Sequence, residues 1–159
     1  MSKATKRDIT SAPANDPVVL LGKRLAELSE RSEELESRSG SETMKIYRKA
    51  EGKEVFDITN CVRDYATTVR ATSLEGALVD IALATYYFAD LVDLTEAREG
   101  NEYLAGCAEK RFYRLIYSAV SALAGDRVDL DRLGVSMHLD ANLNPWEPHE
   151  RRVAEIEAA

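Results

Sequence analysis

The chain has 159 residues, 45% hydrophobic and 31% charged, and 28 acids against 21 bases give it a net charge of -7. This length fits one domain that can bury a core without disulfides or metals. The acidic balance disfavours binding of nucleic acid, or of an anionic membrane, by the surface as a whole.

Residues 1–15 read as a disordered, solvated tail. "MSKATKRDITSAPAND" carries a few bases with no apolar run behind them, so no secretory leader is expected. Asp16 suits a helix N-cap and Pro17 the first helical position. A first helix is predicted from there to about Glu36. Its Val18, Leu21, Leu25, Leu28 and Leu35 recur on three- and four-residue steps, with Ser32 in the vacant place. "SRSGS" then breaks the chain. A second helix starts at Ser41 or Thr43, and Gly52 weakens or divides it. Beyond Gly52 the predicted seam is Val55, Ile58, Val62, Tyr65 and Val69.

The next stretch, "TSLEGALVDIALATYYFADLVDL", is the most apolar of the chain. Thr72-Ser73-Leu74-Glu75 matches a capping box and places a helix start there. The helix is predicted to reach about Arg98. The longest uncharged run between Leu74 and Leu94 is Ile81 to Ala89, nine residues. That is too short to span a bilayer. Leu74, Leu78, Ile81, Thr85, Phe88 and Val92 form one stripe, expected to be the main core face. Leu83, Tyr87, Leu91 and Leu94 cover much of another, so this helix is predicted to be central. Asp80 falls off the main stripe. It is expected to be a surface or rim acid, or to pair with an Arg of a neighbouring helix; a metal-binding or catalytic carboxylate is the competing reading.

Gly100-Asn101 ends that pattern. A fourth helix is predicted over Glu102 to Ala124, with Leu104, Ala108, Phe112, Leu115, Ile116, Ala119 and Leu123 as its stripe and Gly125 as its stop. Residues 126–159 mix Gly, Pro, Asn and Asp with isolated large apolar side chains. They read as an irregular arm, with one helical turn near Asp129 to Leu133 and a short last helix from Pro148. The expected architecture is an all-α antiparallel bundle of about four helices over residues 16–125. In the alternative, three helices form the core, and the first helix lies outside it and pairs two copies through its seam.

The chemistry-bearing residues are few. His138 and His149 both lie in the arm, and no H-E-x-x-H or E-x-x-H pairing is present. Cys61 and Cys107 form no C-x-x-C, and each is expected to be a small buried thiol beside an apolar face. No glycine-rich phosphate loop and no interleaved basic and aromatic face appears. Trp146 stands between two prolines in "NLNPWEPHERR". It is a candidate anchor, onto its own bundle or into a partner's groove, with Arg151 and Arg152 able to pair with acids.

Glu33-Glu34-Leu35-Glu36 and Glu54-Val55-Phe56-Asp57 form an E-x-x-E and an E-x-x-D. Together they resemble the metal-binding motif of the all-α nucleoside triphosphate pyrophosphohydrolases. The resemblance covers residues 33–57. It implies that Glu33, Glu36, Glu54 and Asp57 hold Mg²⁺ against a triphosphate for metal-assisted hydrolysis. On the helical wheel Glu36 and Glu54 lie roughly 60° from their seam centres, and Glu33 and Asp57 roughly 120°. "DPVVLLGKRL" and "TSLEGAL" are similar to segments of short helical proteins of bacterial and prophage genomes; that resemblance implies a bacterial chain and no particular activity. The expected function is therefore that of a noncatalytic, cytoplasmic interaction or accessory protein without a cofactor. It is expected to self-associate as a homodimer or to bind a protein partner, with no membrane and no nucleic acid.

Overall fold

The computed structural model describes residues 15–38, 40–96, 100–125, 128–130 and 132–133. Four helices account for most of these, and no strand occurs among the described residues. They are α1 (Pro17–Ser37), α2 (Glu42–Ala66), α3 (Leu74–Glu96) and α4 (Glu102–Ala124). The fold is all-α and bundle-like, as the periodicity predicts. All of the predicted tail but Asn15 lies outside the described residues. So does most of the predicted arm, including its last helix.

Local chemistry explains the helix ends. The Asp16 side chain accepts a hydrogen bond from the Val18 amide at 2.8 Å, with Pro17 opening α1. Ser41 caps α2. α2 then runs through Gly52 unbroken; the glycine weakens the helix without dividing it. The cap of α3 is Ser73, one residue later than the capping box predicts: the Gly76 amide donates to the Ser73 hydroxyl at 3.0 Å. α4 stops at Gly125, whose φ of 49° interrupts the helical path. In the arm, the Leu133 amide donates to the Asp129 carbonyl at 3.2 Å and the Arg132 amide to the Asp129 carboxylate at 3.0 Å, which closes the expected turn.

α3 and α4 form the most extensive pair, and α1 packs on both α2 and α3. Two buried clusters result. Ala66, Leu83, Ala84, Tyr87 and Leu115 form the larger, flanked by Leu21, Leu25, Val79, Phe112 and Ile116. Leu28, Leu35 and Val55 form the smaller, backed by Val62. The α1 seam is thus spent inside the chain, with Val18, Leu28 and Leu35 buried. This corrects the alternative in which α1 lies outside a three-helix core and pairs two copies. In α2 the seam is rotated from the predicted one. Val55 and Ala66 are buried and Val62 packs inward, while Ile58 and Tyr65 are exposed.

α3 departs most from expectation. Its buried face is Gly76, Ala77, Asp80, Leu83, Ala84 and Tyr87. The stripe expected to face the core is turned outward: Leu74 and Leu78 are each 58% exposed, Ile81 40%, Phe88 52% and Val92 36%. Close approach decides between the two faces. A Cβ added at Gly22 of α1 would come within 2.8 Å of Val79, and one at Gly76 within 2.2 Å of the Asp16 carboxylate. Only the face with small residues lets α1 and the preceding connector come that near. The bulky stripe would hold them apart and forfeit dispersion contacts along the helix.

Candidate functional site

Three chain segments meet around the start of α3. The Asp16 carboxylate at the head of α1 is fully buried. One oxygen accepts from the Val18 amide at 2.8 Å. The other accepts from the Thr72 amide at 2.8 Å and from the Ser73 hydroxyl at 2.7 Å. A single side chain therefore caps α1 and ties it to the entrance of α3. From the other side, the buried Ser118 hydroxyl of α4 accepts from the Ala71 amide at 2.8 Å. Burial opposes the charge on Asp16. The Ser73 hydroxyl and the amides of Thr72, Val18 and Ser73 outweigh it and hold the carboxyl below its ordinary range.

Asp80 lies within reach of the Asp16 charge, on the buried face of α3. It is also 0% exposed, yet neither of its carboxylate oxygens has a hydrogen-bond partner. It is neither the rim acid nor the Arg-paired acid that the sequence leads one to expect. Burial raises its pKa from 3.8 to about 7; the nearby Ser118 hydroxyl, short of ordinary hydrogen-bond geometry, pulls it partly back, and the charge on Asp16 raises it. A carboxyl with such a pKa can hold or release a proton at neutral pH.

A second polar group lies on the far side of the larger core cluster. Asp64 of α2 accepts from the Tyr87 hydroxyl of α3 at 2.8 Å and from the Arg111 guanidinium of α4 at 2.8 Å. The same guanidinium stands over the Tyr87 ring, 5.5 Å from its centroid. Burial and the bond to Asp64 push the Tyr87 hydroxyl pKa up, so this group acts as a neutral clamp joining three helices. Sequence reading misses it because Asp64 and Arg111 are 47 residues apart and neither lies in a motif.

The acids of the pyrophosphohydrolase-like motif stand elsewhere. Glu33, Glu36, Glu54 and Asp57 are all exposed. Asp57 pairs with Lys53 at 3.8 Å. Glu36 lines an open groove of about 610 Å³ between α1 and α2, beside Lys45, Arg48, Lys49 and Phe56. Neither Glu33, Glu54 nor Asp57 lines this groove. Among the described residues, no three His, Cys, Asp or Glu side chains come together as a group that could hold a metal ion. Asp16 and Asp80 are two acids, with hydroxyls rather than further carboxylates around them.

Cys61 is exposed, which corrects its expected burial, and Cys107 is half-buried. Trp146, Arg151, Arg152, His138 and His149 lie outside the described residues. Among the described residues, no helix is long and apolar enough to cross a membrane. Compared with known proteins, the chain matches no family model, no curated protein and no solved structure.

Proposed function

We propose that this chain is a noncatalytic, cytoplasmic interaction protein that works as a homodimer, with the outer stripe of α3 as its contact face. The observation that carries this reading is the exposure of Leu74, Leu78, Ile81, Phe88 and Val92 along one side of a 23-residue helix. Scattered apolar side chains on a surface need no explanation; a continuous row of them marks an interface. Each of these side chains, already partly buried, forgoes about half of the roughly 1.5–3 kcal/mol that full burial contributes.

The spacing of the stripe favours a second copy as the partner. Leu74 and Val92 lie nine residues either side of Leu83, Leu78 and Phe88 five, and Ile81 and Thr85 two. The row therefore reads alike in both directions. In an antiparallel pair about a two-fold axis, each member meets its own counterpart, which is the self-complementarity a closed dimer requires. Glu75 and Asp93 flank the row, and Glu75 of one copy would approach Asp93 of the other, so salt is expected to tighten the pair. The free thiols of Cys61 and Cys107 fit a reducing compartment.

Leu78→Arg at the stripe is expected to convert a dimer into a monomer of unchanged helicity, read by sedimentation equilibrium of the full chain alongside circular dichroism. Dimerisation of the wild type should strengthen between about 0.05 and 0.5 M salt. A wild type that stays monomeric at 100 μM in both salts, or a dimer indifferent to Leu78→Arg, would remove this reading.

A further inference from the structure

We propose that Asp80 is a proton-binding position and that the seating of the first half of α3 on α1 and α4 depends on its proton. The argument begins with geometry. Asp80 is fully buried and neither of its oxygens has a hydrogen-bond partner among the described residues. A buried ionised carboxylate without a partner is among the costliest groups a core can hold; a neutral carboxyl is tolerated.

Among the described residues, no cation makes a hydrogen bond to Asp80. α1 contributes Asp16, itself an acid, fully buried and already engaged by the Val18 and Thr72 amides and the Ser73 hydroxyl. α4 contributes the neutral Ser118 hydroxyl, which accepts from Ala71 and whose own proton lies near Asp80 without reaching hydrogen-bond geometry. The connector contributes Ser73, whose hydroxyl proton goes to Asp16. Arg70, the cation of that connector, makes no hydrogen bond to either Asp80 oxygen. Asp64 and Arg111, the charged pair from α2 and α4, engage each other and Tyr87 one to two turns further along α3. Among the described residues, Asp16 is the charge whose field bears on Asp80, and it has the same sign.

The two acids divide the roles. Asp16 is ionised because its donors demand an anion, and Asp80 beside it stays neutral because burial, with no hydrogen bond formed to either oxygen, disfavours its charge. When Asp80 loses its proton, two buried like charges face each other across the α1–α3 contact. The simplest relief is for the first turns of α3 to lift and admit water. Asp80 sits about two turns from the Ser73 cap, so the segment that responds is Leu74 to about Leu83. This inference does not depend on the outer stripe being an interface.

The linkage has a definite sign. A carboxyl with a folded-state pKa raised from 3.8 to about 7 holds its proton in the folded chain where the open chain has lost it. Its contribution to stability is fully present below pH 3.8, declines as pH rises, and is exhausted above pH 7. Opening at Asp80 should thus grow between pH 5 and pH 8 by roughly 100-fold and then level off.

Two measurements on the full-length chain test this. Carbon-13 NMR of the Asp80 carboxyl, assigned through the backbone, should show it titrating near neutral pH. Amide exchange, corrected for intrinsic rate, should show opening at Gly76, Ala77 and Val79 rising by the factor above, and Asp80→Asn should abolish that rise. A wild-type Asp80 carboxyl that titrates below pH 5 overturns the proposal and needs no variant. So does an opening equilibrium at these amides that stays level from pH 5 to pH 8 in the wild type. Asp16→Asn supplies a second check: loss of the neighbouring charge should move the Asp80 midpoint downward, and an unmoved midpoint overturns the role given to Asp16.

Discussion

Asp16→Ala is expected to lower the stability of the chain by about 3 kcal/mol, read as the shift of the urea unfolding midpoint at pH 7. The variant removes an N-cap, worth about 1 kcal/mol in an ordinary helix. It also leaves the Thr72 amide and the Ser73 hydroxyl without their acceptor in a buried site, at about 1–3 kcal/mol each. Relief of the field on Asp80 offsets part of that loss. Gly76→Ala should cost about 2 kcal/mol by the same contact, because its Cβ would stand 2.2 Å from the Asp16 oxygen. The double variant should fall well short of the sum, since both changes break one interaction. Additive effects would show that the glycine serves something other than Asp16, and a loss under about 0.5 kcal/mol for Asp16→Ala would show that the junction does not hold α1 to α3. The stabilisation from Asp16 runs opposite in pH to that of Asp80. With its pKa held down, Asp16 stabilises the fold above its ordinary range and ceases to do so as pH falls through the folded value.

Tyr87→Ala should cost about 3–5 kcal/mol, the range for deleting a buried ring. Tyr87 is almost fully buried at the centre of the larger cluster, beside Leu83, Ala84 and Leu115. The ring also meets Tyr86 edge-on, with centroids 5.2 Å apart. Tyr87→Phe separates packing from the clamp. It keeps the ring and removes the hydroxyl, so Asp64 keeps Arg111 and loses one donor, at about 1 kcal/mol. Chemical denaturation of the two variants side by side checks the split. Equal losses from both would mean that the hydroxyl rather than the ring does the stabilising.

How much of this was legible in the chain depends on whether the determinant is local. Asp16 and Pro17 predict the start of α1, and Gly125 the end of α4, because caps and stops act within a few residues. Glu102 to Ala124 is predicted and observed as α4 for the same reason. The one-residue error at α3 also has a local cause. Thr72 and Ser73 are both competent caps, and the choice of Ser73 comes from α1: its hydroxyl donates to Asp16 while accepting from Gly76.

The candidate site was legible only in part. Asp80 stands out in the sequence because an acid interrupts an apolar helix, but its surroundings do not. A helix apolar on two sides satisfies the periodicity with either side inward, and a one-position rotation of the assigned face moves Asp80 from rim to core. The larger residues suggest the wrong side. Leu74, Leu78, Ile81, Phe88 and Val92 outweigh Gly76, Ala77, Asp80 and Ala84 in hydrophobicity, yet the smaller set is buried. The same applies to Glu33, Glu36, Glu54 and Asp57: spacing places acids on helices and leaves open whether two helices turn them toward one point.

The sequence by itself determined four helices, most of their ends and the insufficiency of the apolar run as a membrane span, since capping, turn chemistry and charge spacing act within a helical turn or two. The tertiary structure alone decided which face of α3 is buried, that Asp16 and Asp80 share one site, and that Asp64 meets Tyr87 and Arg111. Those outcomes depend on how closely helices can approach. That distance is set by Gly22, Gly76 and the small residues of three helices acting together, which no window along one of them contains.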